Sequence, residues 1–186
     1  KLDAWERSLD DAYAGRPRTE VFVALADAAA RYGIPRQPLA DLLTAFRMDV
    51  ITNRFASFAD LLGYCRCSAD PVGRIVLHVF GDASPEKTGW SDRICTALQL
   101  ANFWQDVAVD LEKDRVYLPL EDLERFGYTE RALVSRDAGG PFRELMRFQV
   151  DRTRSLFEEG RPLLTEATHA LRAELRMTWL GGVRIL

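Results

Sequence analysis

Four polar residues recur at helical spacing in the segment QLANFWQDVAVDLEKDRVYLP, which spans 99–119: Gln99, Asn102, Asp106 and Asp110. On an α-helix advancing 100° per residue they fall at about 0°, 300°, 340° and 20°, a single polar stripe. Ile94, Ala97, Leu98, Ala101, Phe103, Val107 and Val109 around them are apolar and are expected to be buried. Carboxylates in such surroundings require a charged partner or a metal. An isolated pair of Asp at i,i+4 repels itself and more often marks the solvated side of an amphipathic helix. Here the stripe continues into two uncharged amides and is followed by Arg115 and Tyr117. Oxygen donors beside a guanidinium suit a hard divalent cation, with a phosphate held between metal and Arg115.

Helical punctuation surrounds this segment from end to end. Residues 2–14 read as a helix stopped by Gly15 and Pro17. Thr19 is placed to cap a second helix to Tyr32, which Gly33 and Pro35 end. Pro38 fits the first turn of a third, 36–52. Ser57 and Asp60 form a capping-box pattern at the head of a long segment, Phe58–Phe80, in which Pro71 predicts a kink. In that segment Tyr64, Cys67, Ser68, Pro71, Val72, Ile75 and Val79 share one face, Arg66, Asp70 and Arg74 form an i,i+4 ladder on another, and Gly73 permits close approach of a neighbour. Ser84-Pro85-Glu86 starts the helix that carries the polar stripe. Short helices follow Pro119 and Thr129, and Pro141 opens a long one towards Glu159. No stretch alternates as a strand would, so the fold class is all-α, with short loops joining antiparallel neighbours.

The 47% hydrophobic content of the 186 residues suffices for one domain with a core. A net charge of −3 argues against a nucleic-acid partner. Cys65, Cys67 and Cys95 are an odd set without zinc-site spacing and read as reduced thiols of a cytoplasmic protein. No apolar run approaches the roughly 20 residues of a membrane span, so any membrane contact, for instance at the inner membrane, is expected to be peripheral.

The segment Gln99–Pro119 resembles the second aspartate-rich motif of the squalene/phytoene synthase family, head-to-head trans-isoprenyl diphosphate synthases. That motif reads roughly Q-x-x-N-x-x-R-D-x-x-x-D, followed by an Arg and Y-x-P. Met48-Asp49 with Arg54-Phe55 resembles the family's M-D-x-x-x-x-R-Y, with Phe for Tyr, and Tyr64-Cys65 through Val72-Gly73 resembles its cavity-lining Y-C-x-x-x-A-G-x-V-G. The resemblance implies an isoprenoid-synthase-type antiparallel bundle around a central apolar cavity. The bundle is expected to be incomplete at both ends, lacking the first aspartate-rich motif, and inactive by itself. It further implies that Asp106, Asp110 and Asn102 hold Mg²⁺ and that Tyr64, Asp106 and Asp110 serve catalysis. Gln99, Asn102, Phe103, Gln105, Arg115 and Tyr117 would then contact a prenyl diphosphate, either presqualene diphosphate or farnesyl diphosphate. Trp179 and the pair Gly181-Gly182 would pack on a hydrocarbon tail. Within the family, the phrases around Tyr64–Gly81 and N-F-W-Q-D-V-A-V-D resemble the hydroxysqualene-forming branch of bacterial hopanoid synthesis, and Gln105 stands where most members carry Arg. A head-to-head condensing synthase and a non-catalytic helical relative are the alternatives.

Overall fold

The computed structural model describes residues 1–186 and contains helices without a named strand. In chain order these are α1 (Leu2–Tyr13), α2 (Glu20–Tyr32), α3 (Arg36–Ile51), α4 (Phe58–Ser68), α5 (Asp70–Val79) and α6 (Pro85–Gln105). There follow α7 (Val107–Glu112), α8 (Leu120–Arg125), α9 (Glu130–Val134), α10 (Gly140–Gly160), α11 (Leu163–Glu166) and α12 (His169–Ile185). Helix α6 is the axis of the bundle: α4, α5, α10, α11 and α12 all pack on it. Its Ile94, Ala97, Leu100, Phe103 and Trp104 meet Leu61, Leu77, Leu145, Phe157, Leu163 and Leu171 in one continuous core. A smaller cluster, Leu9, Ala12, Phe22 and Leu43, ties α1 and α2 to α3.

Local chemistry explains most of the boundaries. Ser57 and Asp60 form the expected reciprocal capping box at α4, and the hydroxyls of Ser84 and Thr129 accept from the backbones of Lys87 and Ala132 to cap α6 and α9. Thr19 precedes α2 but makes no side-chain cap bond.

The segment Phe58–Phe80 is two helices rather than one kinked helix. The break falls at Ala69 (φ −113°, ψ −52°), because Pro71 has no N–H to give the preceding turn and its ring crowds that turn's carbonyl. The break also dissolves the expected Arg66–Asp70–Arg74 ladder. Asp70 turns inward to accept a hydrogen bond from Thr96 on α6, while Arg74 turns to Asp92 in a two-bond pair of 2.9 and 2.7 Å. Gly73 lies where a Cβ would come within 2.3 Å of Ser91 Oγ and 2.6 Å of Cys95 Sγ, so α5 approaches α6 as closely as its lack of a side chain allows.

Candidate active site

The polar stripe crosses a helix break. Helix α6 ends at Gln105, and Asp106 (φ −98°, ψ 13°) joins it to the short α7. Two aspartates and two β-branched valines in five residues are poor helix formers, and α7 buries no residue of its own to compensate. Val109, expected to be buried, is 48% exposed. The stripe nevertheless survives, because Asp106 N–H still donates to Asn102 O at 2.9 Å and Asp110 N–H to Asp106 O at 2.8 Å.

The oxygens of this stripe are largely uncommitted. Between residues 99 and 117 the side-chain hydrogen bonds belong to Trp104, Glu112, Asp114, Arg115 and Tyr117, and none engages Gln99, Asn102, Gln105 or Asp106. Asp110 has only Lys113 nearby, at 3.7 Å. Partial burial raises the Asp110 carboxyl above its usual range and the charge of Asp106 adds to the rise, against the opposing pull of Lys113.

Beside the stripe lies a cluster of four rings. Phe103 and Tyr117 stack with centroids 3.7 Å apart and planes 6° from parallel. Phe55 and Tyr64 close the cluster at 5.5–6.3 Å from their neighbours. Phe103, expected from the resemblance to contact the substrate, is only 4% exposed and in this chain packs within the ring cluster.

Tyr64 donates to Asp49 Oδ1 at 2.8 Å. Arg115 donates to Tyr117 Oη at 3.1 Å and to the Asp49 carbonyl at 3.3 Å. Burial first, and then the bond to Asp49, push the Tyr64 phenol well above its ordinary value, so it stays protonated at neutral pH. The Arg115 loop is fastened to the end of α3 by Arg54, which bonds both Asp114 and Glu130, and by a bridge between Arg54 and Val116.

Gln99 and Asn102 form one edge of an apolar groove of about 390 Å³ walled by Val72, Leu98, Ala101, Gly182 and Ile185. Through Val72, Cys95 and Leu98 it continues into a second pocket of about 250 Å³ beneath Leu77, Leu171 and Leu175. Val72 and Ile185 are 52% and 53% exposed, so in this chain the space is an open groove and not an enclosed cavity. Gly182 reaches the groove, whereas Trp179 donates its indole N–H to the Phe157 carbonyl and packs edge-on against that ring. Gln105 does not share the groove. It lines a separate pocket with Trp104, Val107, Leu111 and Arg136.

No three His, Cys, Asp or Glu side chains gather closely enough to hold a metal by themselves. Mg²⁺ commonly takes only one or two protein carboxylates and fills its remaining positions with water and substrate phosphate. Asp106, Asp110 and the amide oxygen of Asn102 are the donor set that suits it, and the mutual repulsion of the carboxylates is relieved by a cation.

The structure thus brings together Tyr64, Phe103, Arg115 and Tyr117 as one cluster and Gln99, Asn102, Asp106 and Asp110 as one stripe, and it sets Gln105 apart. Asp49 and Phe55 join the cluster without having been singled out as site residues. Their signal was the M-D-x-x-x-x-R-F stretch, whose partner at Tyr64 cannot be inferred from spacing.

A family model described as squalene/phytoene synthase matches residues 1–186. The chain is 36% identical over 183 residues to a 15-cis-phytoene synthase of Synechococcus elongatus, covering 92% of this chain and 59% of that protein. It is 33% identical over 192 residues to the chloroplastic phytoene synthase 1 of Arabidopsis thaliana, covering 100% of this chain and 45% of that one. The chain therefore spans about half the length of these curated relatives. Among solved structures, squalene synthase HpnC from Alicyclobacillus acidocaldarius superposes with a TM-score of 0.96 at 41% identity, covering 99% of this chain and 70% of that one. A dehydrosqualene synthase in complex with ligand superposes at 0.90 and 26%, covering 98% and 65%.

Proposed function

Because the chain belongs to the squalene/phytoene synthase family, we propose that it forms the diphosphate-binding part of an enzyme that ionises a prenyl diphosphate, converting presqualene diphosphate and water to hydroxysqualene and diphosphate. The observation that carries this reading is the pair of unpartnered amides at Gln99 and Asn102 on the lip of an apolar groove, continued along the helix by the unpartnered carboxylate of Asp106. A headgroup rich in oxygen anions meets the row while a hydrocarbon chain lies in the groove.

Asp106, Asp110 and Asn102 would hold Mg²⁺, which when bound neutralises charge that builds on the diphosphate as its C–O bond breaks. Gln99 orients a phosphate oxygen through its amide N–H, and Arg115, whose charge reaches Asp110, offers a guanidinium. Tyr64, fixed by Asp49, keeps its proton at Oη and packs behind Tyr117, whose half-buried ring is the one placed to face the carbocation. Water then adds to the cation, its proton leaving to solvent. Gln105, neutral where most members carry Arg, lines a separate pocket in this chain, so the preference for a single substrate rests on the resemblance of the Tyr64–Gly81 and N-F-W-Q-D-V-A-V-D stretches to the hydroxysqualene-forming branch. The exposed apolar residues Val72, Leu180 and Ile185 and the insolubility of the substrate suit a peripheral position on the cytoplasmic face of a membrane; no helix is long and apolar enough to cross one.

The names of the curated relatives favour a second reading, head-to-head condensation to phytoene. The test is to supply each substrate to the full-length enzyme with Mg²⁺ and identify products by mass spectrometry. Hydroxysqualene from presqualene diphosphate is expected, whereas conversion of farnesyl or geranylgeranyl diphosphate alone assigns the enzyme to the condensing reading.

A further inference from the structure

Asp70 stands outside the site described above. It opens α5 at the break after α4 and is only 3% exposed. One of its carboxylate oxygens accepts a hydrogen bond from the Thr96 hydroxyl of α6 at 2.8 Å, and the other takes none. The side chain lies at the wall of a polar cavity of about 560 Å³ shared with Arg66 of α4, with Glu86, Asp92 and Arg93 of α6, and with Glu159 of α10.

No neighbouring cation is committed to Asp70. Arg74 is held by Asp92 through two hydrogen bonds and lies 4.0 Å from Asp41 of α3, while Arg93 pairs with Glu159 at 3.1 Å. Arg66 is exposed and makes no ion pair with it. The thiols of Cys65, Cys67 and Cys95 complete the titratable surroundings, and burial holds all three above their ordinary range. A buried carboxyl with one hydroxyl donor is costly to ionise. Burial accordingly pushes Asp70 up to about 7; the charge of Asp92 adds to the rise, and the Thr96 bond, Arg74 and Arg66 oppose it.

The backbone beside Asp70 is part of the groove. Ser68, Ala69 and Val72 line the groove that Gln99 and Asn102 edge. We propose that Asp70 is a proton-sensitive latch: neutral, its carboxyl stays buried against α6 and holds residues 68–72 there, and ionised, it draws water through the polar cavity and releases that stretch of groove wall. A carboxyl whose folded pKa lies above its unfolded one contributes stability that is complete below the unfolded value and lost as pH rises through the folded value. The latch is therefore closed in mild acid and loosens as pH passes about 7. This inference rests on the helix break and the cavity, and it does not require the proposed reaction.

Hydrogen-exchange mass spectrometry tests it without an activity assay. In the wild-type chain, exchange of the peptide covering residues 66–73, corrected for the intrinsic rate, should rise on the order of tenfold between pH 5.5 and 8.5 relative to peptides of α10. Asp70→Asn should abolish that rise. Thr96→Val, which keeps the carboxyl and removes its donor, should retain the rise and move it to higher pH. A flat wild-type profile overturns the proposal, as does a rise that persists in Asp70→Asn or disappears in Thr96→Val.

Discussion

Tyr64 donates its phenolic hydrogen to Asp49 Oδ1 at 2.8 Å, and Arg115 stands 3.5 Å from the same oxygen. A single carboxylate at the end of α3 thereby orients the tyrosine of α4 and the arginine of the loop after α7. Asp49→Ala should lower the unfolding free energy by about 1–3 kcal/mol, because it strands the buried Tyr64 hydroxyl. Asp49→Asn keeps an acceptor and should lose less. Urea denaturation of both variants decides the point, and equal losses would show that the carboxylate does not organise the pair.

The same geometry predicts an alkaline limit. A tyrosine raised in the fold contributes stability that is present below its unfolded value of about 10 and lost as pH rises through the folded value. Ultraviolet titration of the phenols should therefore show a late step that coincides with loss of helical circular dichroism. Tyr64→Phe should remove that step and make the protein less labile above pH 10. A late step unchanged in Tyr64→Phe would transfer the effect to Tyr117, whose phenol burial also raises.

The repulsion between Asp106 and Asp110 gives metal binding a readout independent of turnover. Addition of Mg²⁺ should raise the melting temperature of the wild type, and Asp106→Ala or Asp110→Ala should abolish the shift. In the absence of metal, Asp106→Asn should bring the Asp110 carboxyl back towards its usual range, which carbon NMR can follow. No Mg²⁺ shift in the full-length protein would favour a non-catalytic relative.

Helix α10 meets α6 at Gly160, where a Cβ would lie 2.5 Å from Ile94 Cγ1 and 2.8 Å from the Trp90 carbonyl oxygen. That carbonyl belongs to the helix backbone and cannot move aside. Gly160→Ala should cost about 1–3 kcal/mol by overpacking. Gly181→Ala, in open space within α12, should instead stabilise by about 0.5–1 kcal/mol through helix propensity. Opposite signs in chemical denaturation confirm the contact.

Asp122, 5% exposed at its side chain, accepts from Arg152 at 2.6 Å and Gln149 at 3.0 Å, and the Arg152 guanidinium lies 3.5 Å from the centre of the Phe58 ring. Asp122→Ala leaves that guanidinium buried and unpaired and should cost about 3–5 kcal/mol. The double replacement Asp122→Leu with Arg152→Met should cost less than the single change, and a double-mutant cycle measures the difference.

Much of the fold was legible because its causes act within one helical turn. The capping box of Ser57 and Asp60, the caps at Ser84 and Thr129, and the phase of Gln99, Asn102, Asp106 and Asp110 each depend on residues three or four positions apart. The resemblance of those four residues, with Arg115 and Tyr117, to one family's motif led to the family to which the chain belongs. Local rules failed where a longer-range choice competed. Thr19 has the right position and backbone for a cap but makes no cap bond, and Pro71 separates two helices at Ala69 where a kink within one was expected.

The sequence by itself determined the helices, their punctuation and the oxygen-bearing stripe, since backbone sterics, capping and helical period are properties of neighbours in the chain. Only the tertiary structure decided that Asp49 serves Tyr64, that Phe103 hides behind Tyr117, that Gln105 looks into a different pocket and that Asp70 abandons its arginines for Thr96. Those relationships depend on how α3, α4, α5 and the loop after α7 settle around α6. Close packing, together with the cost of burying unpaired polar groups, selects one partner for each side chain from several that spacing alone would allow.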